Sequence, residues 1–187
     1  LKFDKKRSSY GTMMDIYVSA GKFDQVEKMF ERSKQGNVPL ATTNYNIMIK
    51  AFGAQDRADK GFEFLKSMLQ SDSERERGKV DIVSFNTLID IWAESSRSGK
   101  VEKAFEVFDM IENDPNCILL GLQPNLITFN SLLKCLAQSN AKDAGERAEK
   151  LLDEMERRVR RGSTNVQPDQ ISISMATTAC LNAGDID

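Results

Sequence analysis

Apolar residues recur along this chain at spacings of three and four, and they do so within one short phrase that returns several times. In VSFNTLIDIW, from Val83, the residues Phe85, Leu88, Ile89 and Trp92 fall at i, i+3, i+4 and i+7. That spacing places them on one stripe of a helix. TNYNIMIKAF, from Thr43, fills the same slots with Tyr45, Met48, Ile49 and Phe52, and ITFNSLLKCL, from Ile127, fills them with Phe129, Leu132, Leu133 and Leu136. ISISMATTAC, from Ile171, is a further copy, and SSYGTMMDIY, from Ser8, is a weaker one. Each phrase predicts one helix, the A helix of a repeated unit.

A second amphipathic segment follows each phrase and predicts a B helix. The segments are FDQVEKMFERSK from Phe23, ADKGFEFLKSML from Ala58, VEKAFEVFDMIE from Val101 and GERAEKLLDEMERRV from Gly145. In the last of these, Ala148, Leu151, Leu152 and Met155 keep the helical spacing. Gly21, Gly99 and Gly184 punctuate the turn from A to B, as short helix–helix connections do. Pro39, Pro124 and Pro168 close the linker from B to the next A, where proline stops one helix and precedes another.

Aligning the phrases puts Gly11, Asn46, Asn86, Asn130 and Ser174 at one equivalent position, at spacings of 35, 40, 44 and 44 residues. The repeats then run over 7–41, 42–81, 82–125, 126–169 and a truncated 170–187. Their extra length falls in polar or irregular insertions: SDSERERGK from Ser71, NDPNCILLG from Asn113 and RRGSTN from Arg160, all after B, and ESSRSG from Glu94 between A and B. Loops absorb such length at small cost. A single helix pair cannot bury both of its apolar stripes, but stacked pairs can. With no strand-like alternation of any length, the expected fold is all-α, a right-handed superhelical solenoid of antiparallel helix pairs with a concave inner surface. The chain starts at Leu1 and stops within a repeat, so it reads as a single repeat array cut from a longer protein.

Composition narrows the chemistry. There are 26 basic and 28 acidic residues for a net charge of −2, so any nucleic-acid affinity must come from a local face. Histidine is absent, which removes the commonest general base and the Ser-His and Cys-His nucleophiles. Cys117, Cys135 and Cys180 fit no metal or redox spacing and cannot all pair as disulfides. No nucleophile–base pair, phosphate loop or metal cluster is visible, so neither an enzyme nor a cofactor is expected. No apolar run approaches the roughly 20 residues of a membrane span, and no membrane partner is expected.

The Trp-Leu-Gly-Tyr and Ala-Phe-Pro pattern of the tetratricopeptide repeat, about 34 residues long, is missing. The units resemble the pentatricopeptide repeat family instead. SFNTLID from Ser84, SGKVEKAFEVFDMI from Ser98 and QPN ending at Asn125 match the family phrase, as do TFNSLLK from Thr128, AEKLLDEM from Ala148 and QPD ending at Asp169. The resemblance covers nearly the whole chain. The first unit departs from it, with Gly11 where asparagine is usual and Pro39-Leu40-Ala41 in place of Pro-Asp.

The resemblance implies single-stranded RNA as the partner, with about one base per repeat. Its base-reading positions map onto Asn46, Asn86, Asn130 and Ser174, paired in the first three cases with Asp81, Asn125 and Asp169. Its base-sandwiching positions map onto Thr43, Val83, Ile127 and Ile171. By the family's code the pairs favour U, C and U, with RNA and repeats running parallel, hence a 5′-U-C-U-3′ core. Amides can both donate and accept at a Watson–Crick edge, whereas a carboxylate only accepts. Lys50 and Lys134, aligned on the A helices, are candidate phosphate contacts. Each of these positions also has a plainer reading: Asp81, Asn125 and Asp169 precede helices and suit N-caps, Phe52 and Trp92 suit a core, and Arg157–Arg161 suits a solvated helix end. The resemblance further implies a mitochondrion or chloroplast and a role in RNA processing, stability, editing or translation. The alternative is a protein-interaction scaffold, such as a structural subunit of an organellar ribonucleoprotein assembly, with other proteins of that assembly as partners.

Overall fold

The computed structural model describes residues 2–35, 40–73 and 79–184, with side chains from residue 10 onward. Ten helices carry these residues, with no strand among them: α1 (Lys2–Ser19), α2 (Phe23–Gln35), α3 (Thr42–Gly53), α4 (Ala58–Leu69), α5 (Ile82–Glu94), α6 (Lys100–Asn113), α7 (Pro115–Leu119), α8 (Leu126–Ala137), α9 (Ala144–Arg160) and α10 (Gln170–Ala183). The A helices are α1, α3, α5, α8 and α10, and the B helices are α2, α4, α6 and α9. The chain divides into two compact units, residues 1–91 and 92–187, and the division falls inside α5.

In the first unit α1 packs on α2 and α3, and α3 packs on α2 and α4. The stripe read from the sequence is the buried one: Tyr45, Met48, Ile49 and Phe52 of α3, with Phe85, Leu88 and Ile89 of α5. Val26 and Phe30 of α2 and Phe62, Leu65 and Leu69 of α4 are buried as well. Phe30 meets Tyr45 edge-on at 5.2 Å between ring centres, and Phe64 lies within ring-contact distance of Phe30, Tyr45 and Phe52. Such offset and edge contacts suit the ring quadrupoles. Gly53 closes α3 where space is short: a Cβ there would lie 2.4 Å from Ile91 Cγ1.

In the second unit α8 packs against α6, α9 and α10, and α9 against α10. Phe129, Leu132, Leu133 and Leu136 of α8 are fully buried, as are Ala148 and Met155 of α9, while Leu152 is half-buried. Trp92 is buried, so it belongs to the core, and among the described residues its indole N–H has no acceptor. Gly99 and Gly184 take φ of 79° and 81°, and Gly21 in the first unit takes 67°. These are left-handed conformations that glycine adopts without a Cβ penalty, which explains why that residue marks the turn after an A helix.

The insertion NDPNCILLG is not irregular throughout. It contains α7, whose N-terminus is capped by Asp114 accepting from Asn116 N at 2.8 Å, with Pro115 at the first helical position and Cys117 buried beneath. Asp followed by Pro is a start signal for a helix. Pro39 and part of SDSERERGK lie outside the described residues.

Candidate nucleic-acid interface

Two B-to-A junctions, one in each unit, put the cap of an A helix beside the side chain at the reading position of the previous A helix. In the first unit, Asp81 precedes α5. Its Oδ1 accepts from Ser84 N at 2.9 Å, and Ser84 Oγ accepts from Asp81 N at 3.3 Å. This reciprocal pair is a capping box, which satisfies two backbone donors that a helix start leaves open. Asn46, a turn into α3, joins the same group: its Nδ2 donates to Asp81 Oδ1 at 3.2 Å, and its Oδ1 accepts from Ser84 Oγ at 2.6 Å. Ser84 Oγ also lies 3.0 Å from Asp81 Oδ1.

The second unit repeats this arrangement atom for atom. Asp169 caps α10 by accepting from Ser172 N at 2.8 Å, and Ser172 Oγ accepts from Asp169 N at 3.2 Å. Asn130 Nδ2 donates to Asp169 Oδ1 at 3.4 Å, and Ser172 Oγ donates to Asn130 Oδ1 at 2.6 Å. The Ser172 backbone N–H, then its hydroxyl and, to a smaller degree, the Asn130 amide hold the Asp169 carboxyl below the usual carboxylate range, against a small opposing effect of desolvation. Asn125 caps α8 in the same way, accepting from Thr128 N at 3.1 Å. The capping role and the amide contact therefore coexist in the same aspartates.

The positions mapped as sandwiching residues stand out for a different reason. Val83, Ile127 and Ile171 are 51%, 61% and 54% exposed, at the second turn-forming residue of their helices, and Thr43 is exposed too. Three branched apolar side chains in one register face solvent, where core packing gives no reason for them. Stiff β-branched side chains would make good walls for a flat apolar face.

The remaining sites are mixed. Asn46 and Asn130 are half-buried, whereas Asn86 is 6% exposed, so the middle amide is the least accessible of the three. Ser174 is exposed. Lys50 is exposed, but Lys134 pairs with Glu94 at 2.9 Å, and the equivalent position on α5 is Asp90. The Arg157–Arg161 run is largely engaged: Arg158 pairs with Glu112 and Glu154, Arg157 with Glu154 at 3.0 Å and Arg160 with Glu156 at 3.6 Å. It is a helix end with internal salt bridges. Burial pushes the Cys117 thiol up to about 12 and that of Cys135 to about 11, so both are poor nucleophiles. Among the described residues no group of three or more acidic or cysteine side chains is placed to hold a metal, and no helix is long and apolar enough to cross a membrane.

Of the pairs expected from the sequence, the structure brings together Asn46 with Asp81 and Asn130 with Asp169, and it adds Ser84 and Ser172, which the sequence reading does not include. Their signal was present, a hydroxyl residue three places after each cap, which is the capping-box spacing.

Helix hairpins in tandem, with an amide–carboxylate pair at the start of α5 and again at the start of α10, define a helical-repeat protein. The chain belongs to the pentatricopeptide repeat family: the PPR repeat model matches residues 8–38 and 43–73, and the pentatricopeptide repeat domain model matches residues 68–139. Pentatricopeptide repeats are non-catalytic modules. Several Arabidopsis thaliana proteins are similar. A pentatricopeptide repeat-containing protein is 25% identical over 123 residues, which is 64% of this chain and 19% of the relative. The small ribosomal subunit protein mS78 is 29% identical over 101 residues, 54% of this chain and 24% of the relative. A chloroplastic pentatricopeptide repeat-containing protein is 26% identical over 82 residues, 44% of this chain and 10% of the relative. The chain thus spans a quarter or less of these relatives' lengths. Among solved structures, the pentatricopeptide repeat protein PPR10 in complex with an 18-nt psaJ RNA element aligns over 97% of this chain and 28% of that one, at 19% identity and a TM-score of 0.47. PPR10 from maize aligns over 94% and 27%, at 20% identity and a TM-score of 0.44.

Proposed function

We propose that this chain binds single-stranded RNA, that each complete repeat reads about one base, and that the preferred core is 5′-U-C-U-3′. One observation carries the reading. The amide–carboxylate–hydroxyl group of Asn46, Asp81 and Ser84 recurs in Asn130, Asp169 and Ser172 with the same donors and acceptors, and each helix start beside it bears an exposed branched apolar residue. Each group keeps an amide N–H and carboxylate lone pairs for a ligand, a donor beside an acceptor, which is what an unpaired uracil edge can meet. The outer pairs, Asn46 with Asp81 and Asn130 with Asp169, read U. The middle pair, Asn86 with Asn125, reads C with less discrimination, because Asn86 is nearly buried. Ser174 starts a further site. The protein acts in a chloroplast or mitochondrion, on RNA processing, stability or translation.

Stacking contributes about 1–3 kcal/mol per base, and the net charge of −2 adds no general attraction. Three bases therefore give weak binding by this chain alone. The test is fluorescence anisotropy with short RNAs at low salt. Tighter binding to a U-C-U core than to an A-A-A core supports the reading, and equal affinity for both overturns it.

A second reading has its own support. One relative is a protein of the small ribosomal subunit, and the near-burial of Asn86 interrupts the run of open amides. In that reading the chain is a scaffold within a ribonucleoprotein assembly, and the same anisotropy experiment would show no base preference.

A further inference from the structure

Ser84 and Ser172 are the third residues of α5 and α10, and both are fully buried. A cap needs only their backbone N–H groups and a returned bond to the cap residue. Their hydroxyls also reach back across 38 and 42 residues to the amide oxygens of Asn46 and Asn130, at 2.6 Å in each case. We propose that Ser84 and Ser172 are positioning residues that fix which edge of Asn46 and Asn130 faces a bound base, and so set the choice of U over C at those two positions. The proposal rests on the base-reading role argued above.

An asparagine amide is nearly symmetric in shape, so its partners decide which end is oxygen and which is nitrogen. Here both partners agree. The serine Oγ lies closer to the amide Oδ1, at 2.6 Å, than to the carboxylate Oδ1, at 3.0 or 2.9 Å, and the carboxylate accepts a hydrogen bond from Nδ2. Turning the amide over would set its oxygen against Asp81 Oδ1 or Asp169 Oδ1, two acceptors at hydrogen-bond range, and would leave the serine hydroxyl only that carboxylate oxygen, at 3.0 or 2.9 Å, as its acceptor in the group. With the amide held, its second N–H is what remains for a ligand. Uracil offers a carbonyl acceptor at the position where cytosine carries an amino donor. A fixed N–H therefore accepts U and opposes C. Without the hydroxyl, only the carboxylate resists the turn, and a turned amide presents an acceptor that suits the cytosine amino group.

The first junction shows the same coupling with the sizes exchanged. There the reading position is Gly11, and the third residue of α3 is Asn44, also buried. Asn44 Oδ1 accepts from Ala41 N at 2.9 Å, and a Cβ on Gly11 would lie 3.2 Å from Asn44 Nδ2. A small reader with a large third residue, or a large reader with a small hydroxyl residue, fills the one space. The third residue is thus built against the reading position rather than chosen for capping alone.

The experiment uses the full chain and RNAs in which the base facing Asn46 or the base facing Asn130 is U or C in turn, read by anisotropy, with circular-dichroism melts of every variant. Ser172→Ala is expected to reduce U-over-C preference at the Asn130 base from about tenfold to within about twofold of unity, while the preference at the Asn46 base stays. Ser84→Ala is expected to do the reverse, and Ser172→Thr and Ser84→Thr, which keep the hydroxyl, are expected to retain both preferences. Unchanged preference in both alanine variants overturns the proposal, as does equal loss at both bases, which would mark a merely structural effect. Asn130→Ala separates the two levels: if it leaves the preference intact, the base-reading role itself falls and the proposal with it, whereas if Asn130→Ala abolishes the preference and Ser172→Ala does not, only the positioning role falls.

Discussion

At the scale of single residues, this protein uses two of its junction side chains twice. Asp81 and Asp169 end a linker, start a helix and hold an amide. The capping half of that work has a measurable consequence. Asn125→Ala removes the cap of α8 without touching a charge and is expected to lower stability by about 1 kcal/mol in a urea melt. Asp169 adds a pH signature. Its native carboxyl titrates below the ordinary value because Ser172 and Asn130 donate to its ionised form. Its contribution to stability is then fully present above the unfolded carboxylate value of about 3.9, and it is lost as pH falls from there through the lower native value. Carbon-detected NMR titration of Asp169 should find the depressed midpoint, and Ser172→Ala should move it back up; an ordinary midpoint in the parent chain would contradict the bonding described. The residues of the candidate site were legible in sequence where a local rule marked them. Asx before a helix and an amide after an aromatic are local signals. The hydroxyl contacts from Ser84 to Asn46 and from Ser172 to Asn130 span about forty residues, and no local rule reveals which side chains the packing will bring together.

At the scale of elements, the apolar period was sufficient. All the A-helix stripe residues from Tyr45 to Leu136 are buried where the period put them, because in a stacked helix pair burial and helical spacing are one constraint. What the period could not show was α7, a single turn too short to have one, although Asp114-Pro115 is a local signal for its start. Nor could it show that Asn86 would be closed off while Asn46 and Asn130 stay partly open, since burial at a polar position depends on the neighbouring helix. Two substitutions test the packing. Leu133→Ala in the middle of α8 leaves a cavity under a fully buried side chain, and a loss of about 2–5 kcal/mol is expected. Gly53→Ala drives a Cβ into both branches of Ile91, at 2.4 Å from Cγ1 and 3.0 Å from Cγ2. Overpacking costs about 1–3 kcal/mol, which outweighs the gain in helix propensity of up to about 1 kcal/mol. The double variant Gly53→Ala with Ile91→Ala should recover part of the loss; full stability in Gly53→Ala alone would show that Ile91 moves freely.

At the scale of the whole molecule, charge sets the character of the proposed RNA binding. A chain with net charge −2, one candidate phosphate lysine exposed at Lys50 and the other paired to Glu94, and an arginine run engaged in its own salt bridges neutralises few phosphates. RNA binding should therefore depend only weakly on salt, with a slope corresponding to about one or two phosphate contacts at roughly 0.7 per contact. Lys50→Ala should weaken binding evenly across RNA sequences, whereas Lys134→Ala should change it less. The central claim is that separate bases meet separate repeats in order. It is tested most directly by crosslinking an RNA with a U-C-U core in which one uridine at a time is 4-thiouridine, then mapping the attached peptides. The 5′ base is predicted to attach near Asn46 and Val83, and the 3′ base near Asn130 and Ile171. Attachment of both bases to the same repeat, or in the opposite order, would contradict it.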